Sequence, residues 1–229
     1  PWSSGTAEER TQASNRSLLI KRESSFSLKP TPEFGGAGPF AWLPVMRAVC
    51  QRVTEASVTV DGAEGGTGAA PMPLIDAVGL PLREALPILV DKLTEYGLRE
   101  RVVVVASGKL INPEDVAWAL CLGADFITSA RGFMFALGCI QALQCNRNTC
   151  PTGITTHDAK LQRGLHPPDK AERVAAYVRN MVGEVGIIAH ACGVRSPREL
   201  NRSHARVVQA NGLSVGLDEL HPLPVPKAG

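Results

Sequence analysis

Residues Val102–Gly132 read VVVVASGKLINPEDVAWALCLGADFITSARG. Four consecutive valines, Val102–Val105, are the pattern of a strand buried on both faces, as in a parallel sheet. The strand runs into Ala106-Ser107-Gly108-Lys109. Asn112 then stands as a helix N-cap, with Pro113 at the first position and the acids Glu114 and Asp115 beside the positive end of the helix dipole. Val116, Ala119 and Leu120 repeat at helical spacing, and Gly123 closes that helix. Asp125–Thr128 reads as the next strand, followed by Ser129-Ala130-Arg131-Gly132 and an apolar helix through Phe133, Phe135, Ala136 and Leu137. Strands and helices alternating over short connections mean right-handed βαβ units and a parallel sheet.

The same texture extends outward. Ser57–Val60 is a short β-branched run that stops at Asp61–Pro71, DGAEGGTGAAP. Leu82, Leu86, Leu89, Leu93 and Tyr96 mark one helix face closed by Gly97, and Pro87 is tolerable only near that helix's start. Phe40–Val53 carries Trp42, Leu43, Val45, Met46, Val49 and Val53 at roughly helical spacing, with Pro44 in the first turn. Three strand-to-loop units therefore end at Val60, Val105 and Thr128. Further on, Asp169 and Glu172 predict a capping box for a helix reaching about Cys192, and Ser196–Glu199 predicts a second, shorter one. The tail from His221 is proline-rich. Residues 1–36 differ, with ten Ser/Thr in the first 31 positions; they read as a low-complexity or disordered leader. Within them Ser25–Lys29 alternates polar and apolar like a strand.

The chain has 229 residues, of which 44% are hydrophobic and 20% charged. That suits one domain with a sizeable core, yet falls short of the about 250 residues of a (β/α)₈ barrel. The expected fold class is α/β, a partial (β/α)₈ TIM barrel of about three to four βα units, the C-terminal half, followed by a cysteine loop and C-terminal helices. No apolar run reaches the roughly 18 residues of a membrane-spanning helix. A net charge of +2 offers no electrostatic footprint for nucleic acid or an anionic membrane. Of six cysteines, Cys139, Cys145 and Cys150 are bunched. With no charged-then-apolar opening segment, the expected compartment is the reducing cytoplasm, where bunched cysteines are ligands rather than staples.

Cys139-x5-Cys145-x4-Cys150-Pro151 is the strongest chemical signal. Three thiolates near a helix end suit an iron–sulfur core, and three local cysteines fit a cluster with three protein-ligated irons better than a four-cysteine cube. Zinc is a rival, although the paired C-x2-C knuckles of structural zinc sites are missing; three free or buried thiols are the third possibility. Ser107-Gly108-Lys109 and Ser129-Ala130-Arg131 each follow a strand and precede a helix, where backbone N–H groups hold phosphate, helped by Lys109 and Arg131. Ordinary tight βα turns use the same small residues. Gly65-Gly66-Thr67-Gly68 leaves a backbone clear of side chains at a strand's C-terminal end, and Asp61 and Glu64 either orient a substrate or stay solvated. Cys50, Cys121 and Cys192 lie in helical apolar patterns and read as buried small hydrophobes. The histidines at 157, 166, 190, 204 and 221 show no mutual metal spacing, and Lys160–Arg163 and Arg195–Arg206 read as solvated basic faces.

Together, Asp61–Pro71, Ala106–Lys109 (ASGK), Leu122–Asp125 (LGAD), Ser129–Arg131 and Leu137–Thr155 (LGCIQALQCNRNTCPTGIT) resemble the FMN-binding catalytic domain of glutamate synthase. They look closest to related proteins that contain this domain alone. The resemblance runs from about Gly38 to Leu220. It implies an FMN-containing (β/α)₈ barrel and a 3Fe-4S cluster bound by Cys139, Cys145 and Cys150. It assigns the FMN phosphate to Ser107, Gly108, Lys109, Ser129, Ala130 and Arg131, and the flavin and substrate border to Gly65, Gly66, Thr67 and Gly68. Residues 37–138 become the back half of the barrel, 139–156 the cluster loop and 157–229 a C-terminal helical extension and tail. The implied reaction forms L-glutamate from 2-oxoglutarate and ammonia by reduced-flavin hydride transfer. Electrons arrive through the cluster from an NAD(P)H-linked or ferredoxin partner. No segment resembles the amidotransferase domain, and the barrel's first strands, with the flavin-contacting residues the family places on them, have no counterpart; Lys29 is a candidate for the family's fifth-strand lysine, but its flanking sequence does not match. The alternatives are a truncated, non-catalytic fragment keeping the cluster loop, and another FMN- or phosphate-binding barrel enzyme of the IMP-dehydrogenase type.

Overall fold

The computed structural model describes residues 25–28, 56–65 and 79–225. The expected helix over Phe40–Val53, with Cys50, lies outside these residues, as do Lys29, Gly66, Thr67 and Gly68. Four strands form one parallel sheet: β1 (Ser25–Leu28), β2 (Ala56–Asp61), β3 (Val102–Ser107) and β4 (Phe126–Thr128). Their spatial order is their chain order. β1, seen in the sequence only as a five-residue alternation, pairs with β2 from Ser25↔Ser57 to Leu28↔Val60.

Helix α1 (Leu82–Glu95) follows β2, and α2 (Pro113–Cys121) joins β3 to β4. On α1 the predicted apolar stripe is the buried one, with Leu82, Leu86, Leu89 and Leu93 all in the core. Full burial of each such leucine contributes roughly 1.5–3 kcal/mol. They pack on the face of the sheet made by Ala56, Val58, Val60, Val102, Val104 and Ala106, to which α2 adds Val116 and Ala119. The opposite face holds Val103, 37% exposed, and Phe126, 51% exposed, beside half-buried Ser57, Thr59, Asp61, Val105 and Ser107. The valine run is thus buried on one face, not two, among the described residues, because α1 and α2 cover only the Val102/Val104 side.

Strand β4 begins at Phe126, after Asp125 has done a different job. The Val104 N–H donates to Asp125 Oδ2 at 2.7 Å, the Asp125 N–H returns to the Val104 carbonyl at 2.8 Å, and Arg99 Nη2 donates to Asp125 Oδ1 at 2.8 Å. A side chain therefore extends the β3–β4 ladder by one step. Gly123, at φ +102°, lets the chain turn against Val90 just before it.

Helix α3 (Ala130–Leu137) ends in a left-handed Gly138 and leads into the cysteine loop. Beyond the loop lie α4 (Ala159–Gln162) and the 25-residue α5 (Pro167–Ala191). The expected capping box at Asp169 and Glu172 does not form. Pro167 and Pro168 carry the φ of a first helical turn and start α5 earlier, so Asp169 lies inside the helix and pairs with His166 Nδ1 at 3.1 Å. Ser196 does cap, but a single 3₁₀ turn, Pro197–Glu199. A two-stranded hairpin, β5 (Arg206–Val208) and β6 (Ser214–Gly216), precedes the short α6 (Leu217–Leu220).

One part of the expected basic face is not solvated. Arg202 is only 4% exposed; its Nη2 meets Asp91 Oδ1 of α1 at 2.5 Å, and its Nη1 donates to the His221 carbonyl at 2.6 Å. Charge that far inside needs a partner, and Asp91 is the one available from the core helix. No described helix is long and apolar enough to cross a membrane.

Candidate functional site

Parallel pairing brings three strand ends into line, with Asp61 opposite Ser107 and Ser107 opposite Thr128. The loops that follow β2, β3 and β4 therefore leave the same edge of the sheet, its carboxyl end, where open and closed parallel sheets place their sites. Ser107 Oγ donates to Asp61 Oδ1 at 3.0 Å, and the Gly62 N–H donates to the Ser107 carbonyl at 2.8 Å, tying the first two loops together. Glu64 is spent on structure: both its carboxylate oxygens accept from the Leu82 N–H, at 2.9 and 3.0 Å, so it caps α1 rather than facing a substrate. Gly65 ends the 3₁₀ turn Ala63–Gly65.

In the second loop a Cβ on Gly108 would come within 2.9 Å of Leu82 Cβ, so the backbone runs close over the first turn of α1. Lys109 follows in a left-handed conformation at φ +50°, a strained setting for a residue with a side chain. In the third loop Ser129 is buried and α3 begins at Ala130. Ser129 does not cap its own helix. Its Oγ lies 3.0 Å from the Tyr177 hydroxyl of α5, which also bonds the Ile111 carbonyl at 2.9 Å. Gly132 makes room for that hydroxyl, since a Cβ there would overlap it at 2.0 Å.

The cysteine loop is the second half of the site. The Cys139 N–H donates back to the Met134 carbonyl at 2.9 Å, closing α3. Gln141, Leu143 and Asn148 then take φ values of +55°, +54° and +59°; three such residues in one short loop store strain of the kind that gathers at ligand sites. Thr156 Oγ1 donates to the Asn148 carbonyl and the His157 N–H to Asn148 Oδ1, both at 2.6 Å, which holds the loop shut. Cys139, Cys145 and Cys150 are free thiols and line one concavity together with Met134, Ile140, Leu143 and Ile154.

Cys150 is the most elaborately supported of the three. Burial alone raises its thiol, but the hydrogen bond with the Thr152 hydroxyl (3.3 Å) and the polar surroundings given by the Thr152 and Thr155 backbone and the Thr155 hydroxyl outweigh it and bring the pKa down to about 6. The Thr155 hydroxyl is buried against this sulfur without a well-formed hydrogen bond of its own among the described residues. Nothing in the cysteine spacing announces this support; the signal was the threonine-rich flank, Thr149 to Thr156. Among the described residues no three His, Cys, Asp or Glu side chains gather closely enough to ligate one metal ion. Of the other cysteines, Cys121 is buried and Cys192 packs partly buried against the core, as their spacing predicts.

Residues 44–195, about two thirds of the chain and the whole of this geometry after β1, match the family model described as the conserved region in glutamate synthase. The chain belongs to the glutamate synthase family. It is 45% identical over 163 residues to the glutamate synthase large subunit-like protein YerD of Bacillus subtilis, covering 71% of this chain and 31% of that one. It is 36% identical over 174 residues to the archaeal-type glutamate synthase (NADPH) of Dehalococcoides mccartyi, covering 75% and 34%. To the archaeal glutamate synthase (NADPH) of Methanocaldococcus jannaschii it is 34% identical over 173 residues, covering 76% and 33%. The chain thus spans about a third of the length of these glutamate synthase relatives.

Proposed function

We propose that this chain is the carboxyl-terminal half of the FMN-binding barrel of a glutamate-synthase-type oxidoreductase, together with its iron–sulfur loop. The reaction would be formation of L-glutamate from 2-oxoglutarate and ammonia, with an NAD(P)H-linked or ferredoxin protein as electron source. The observation that carries the reading is that Cys139, Cys145 and Cys150, all free thiols, line one concavity. A single zinc ion draws its sulfurs to about 2.3 Å from one centre, whereas a cluster takes each thiolate on a different iron and needs them apart. Three free cysteines would offer one thiolate to each iron of a 3Fe-4S core.

The barrel reading is supported by sequential strand order, helices on one face, and an opposite face that still exposes Val103 and Phe126. In a doubly wound sheet the order reverses and helices cover both faces; in a barrel that second face looks inward onto other strands. The residues also suit FMN. Its phosphate would meet the α3 N-terminus, whose first-turn N–H groups no side chain caps, and the backbone of Ser107–Lys109, with Lys109 and Arg131 supplying positive charge. Gly65–Gly68 would border the ring.

When bound, FMN would supply the hydride and the cluster would pass it electrons one at a time. The chain's own residues do the holding. Asp61 and Ser107 fix two loops against each other, Glu64 steadies α1 beneath them, and Thr152 and Thr155 beside Cys150 favour its thiolate form, the form that would ligate iron. The exposure of Val103 and Phe126 favours a second reading, in which the chain alone holds the cluster but not the flavin. An anaerobic absorbance spectrum with iron and flavin assays tests both. Flavin bands plus about three irons per chain support the first, iron without flavin the second, and neither cofactor removes both.

A further inference from the structure

Besides the three cysteines, the concavity is lined by the apolar Met134, Ile140, Ala142, Leu143 and Ile154 and by three polar side chains, Gln144, Thr152 and Thr155. Two of these polar groups are engaged. Gln144 Oε1 accepts from the Thr149 hydroxyl at 3.0 Å, and the Thr152 hydroxyl lies 3.3 Å from Cys150 Sγ. The third, the Thr155 hydroxyl, is buried and has no hydrogen-bond partner among the described residues. A buried hydroxyl left unpaired destabilises a fold, and the large majority find a partner. The chain around Thr155 is held too firmly to turn it out to water. Thr156, next in sequence, donates its hydroxyl to the Asn148 carbonyl at 2.6 Å, and its own carbonyl accepts from Gln162 Nε2 at 2.8 Å. Two residues earlier, Gly153 packs so closely against the Leu161 carbonyl that a Cβ would stand 2.5 Å from it. An orphaned donor fixed in the same wall as three thiols is matched to an acceptor brought by whatever fills the concavity.

We infer that the Thr155 hydroxyl donates a hydrogen bond to a sulfur of the bound iron–sulfur cluster and holds the cluster's reduction potential up. This rests on the reading of Cys139, Cys145 and Cys150 as the cluster ligands. One electron taken up by the cluster adds one negative charge, part of which falls on its sulfurs. A hydrogen bond aimed at a sulfur therefore strengthens on reduction and favours the reduced form, one of the levers by which a protein sets such potentials. The apolar walls keep that bond from being diluted by water. Thr155 ligates no iron and moves no proton; it acts on the electron equilibrium alone.

The test uses the full chain purified anaerobically as wild type, Thr155→Val, which keeps the branched shape and loses the hydroxyl, and Thr155→Ser, which keeps the hydroxyl. Iron per chain is assayed, the cluster is titrated with dithionite in the presence of redox mediators and followed by electron paramagnetic resonance, and the iron-free chains are unfolded in urea. All three should hold the same iron. In Thr155→Val the ratio of reduced to oxidised cluster at a fixed potential should fall about tenfold, the order of one hydrogen bond, which is a midpoint lower by about 59 mV for a one-electron couple. Thr155→Ser should stay with wild type. Iron-free Thr155→Val should unfold at a urea midpoint no lower than wild type, because it sheds a buried hydroxyl that had no partner. An unchanged potential in Thr155→Val, an equal fall in both variants, loss of iron from Thr155→Val, or a lower urea midpoint for its iron-free form overturns the inference. A wild-type chain that holds no iron overturns the cluster reading beneath it, and the inference with it.

Discussion

Replacing Asp125 by alanine should destabilise the sheet at the edge that carries the proposed phosphate loops. Asp125 accepts the Val104 N–H at 2.7 Å and Arg99 Nη2 at 2.8 Å. Val104 is fully buried, so its amide would lose an acceptor that water replaces poorly, at about 1–3 kcal/mol. The ion pair is partly exposed, with 22% and 30% of the two side chains accessible, and adds about 0–1 kcal/mol. The sum is about 1–4 kcal/mol, a sizeable part of the roughly 5–15 kcal/mol that holds a domain together. Asp125→Asn keeps an acceptor for Val104 and should cost about half as much. Urea unfolding followed by circular dichroism reads both as a lower midpoint at unchanged slope. An alanine variant within about 0.5 kcal/mol of wild type, the range of an ordinary surface change, would refute the claim that this carboxylate joins β4 to β3.

Other expectations follow from the same contacts. Arg202→Ala leaves Asp91 without its partner and frees the His221 carbonyl; a loss of about 3 kcal/mol is expected in the same unfolding assay, and a smaller loss when Asp91→Asn accompanies it. Gly132→Ala drives a methyl group into the Tyr177 hydroxyl, so FMN affinity should drop with it, measured by fluorescence titration. Burial, with Cys192 nearby, pushes the Cys121 thiol up from 9.0 to about 11. The folded state therefore keeps its proton where the unfolded state loses it, and the stability this contributes, complete below pH 9, is lost as pH rises from about 9 through 11. Unfolding free energies of wild type and Cys121→Ala should converge across that window; a constant difference would show that the thiol is not held protonated.

Local signals were read correctly where a local cause produced them. The α1 leucine stripe, the Asn112-Pro113 start of α2 and the Gly123 stop behind it each depend on residues a few positions apart. The valine run misled on its second face because burial depends on what else covers the sheet, which four valines do not specify. The Asp169/Glu172 box failed because two prolines upstream took the first turn. The site divided the same way. The bunching of Cys139, Cys145 and Cys150 was visible as spacing, and all three line one concavity. Tyr177, the Asp125 carboxylate bridge and the Arg202–Asp91 pair were not visible, since each joins residues 21 to 111 positions apart. Only the folded chain brings them together.

The most direct measurement is iron and acid-labile sulfide per chain in protein purified anaerobically, wild type beside Cys139→Ala, Cys145→Ala and Cys150→Ala. Wild type should hold about three irons with comparable sulfide, and each single substitution should strip most of both, because two thiolates cannot keep a three-iron core. Wild-type protein without iron, or any of the three variants with its full complement, would contradict the assignment of this loop.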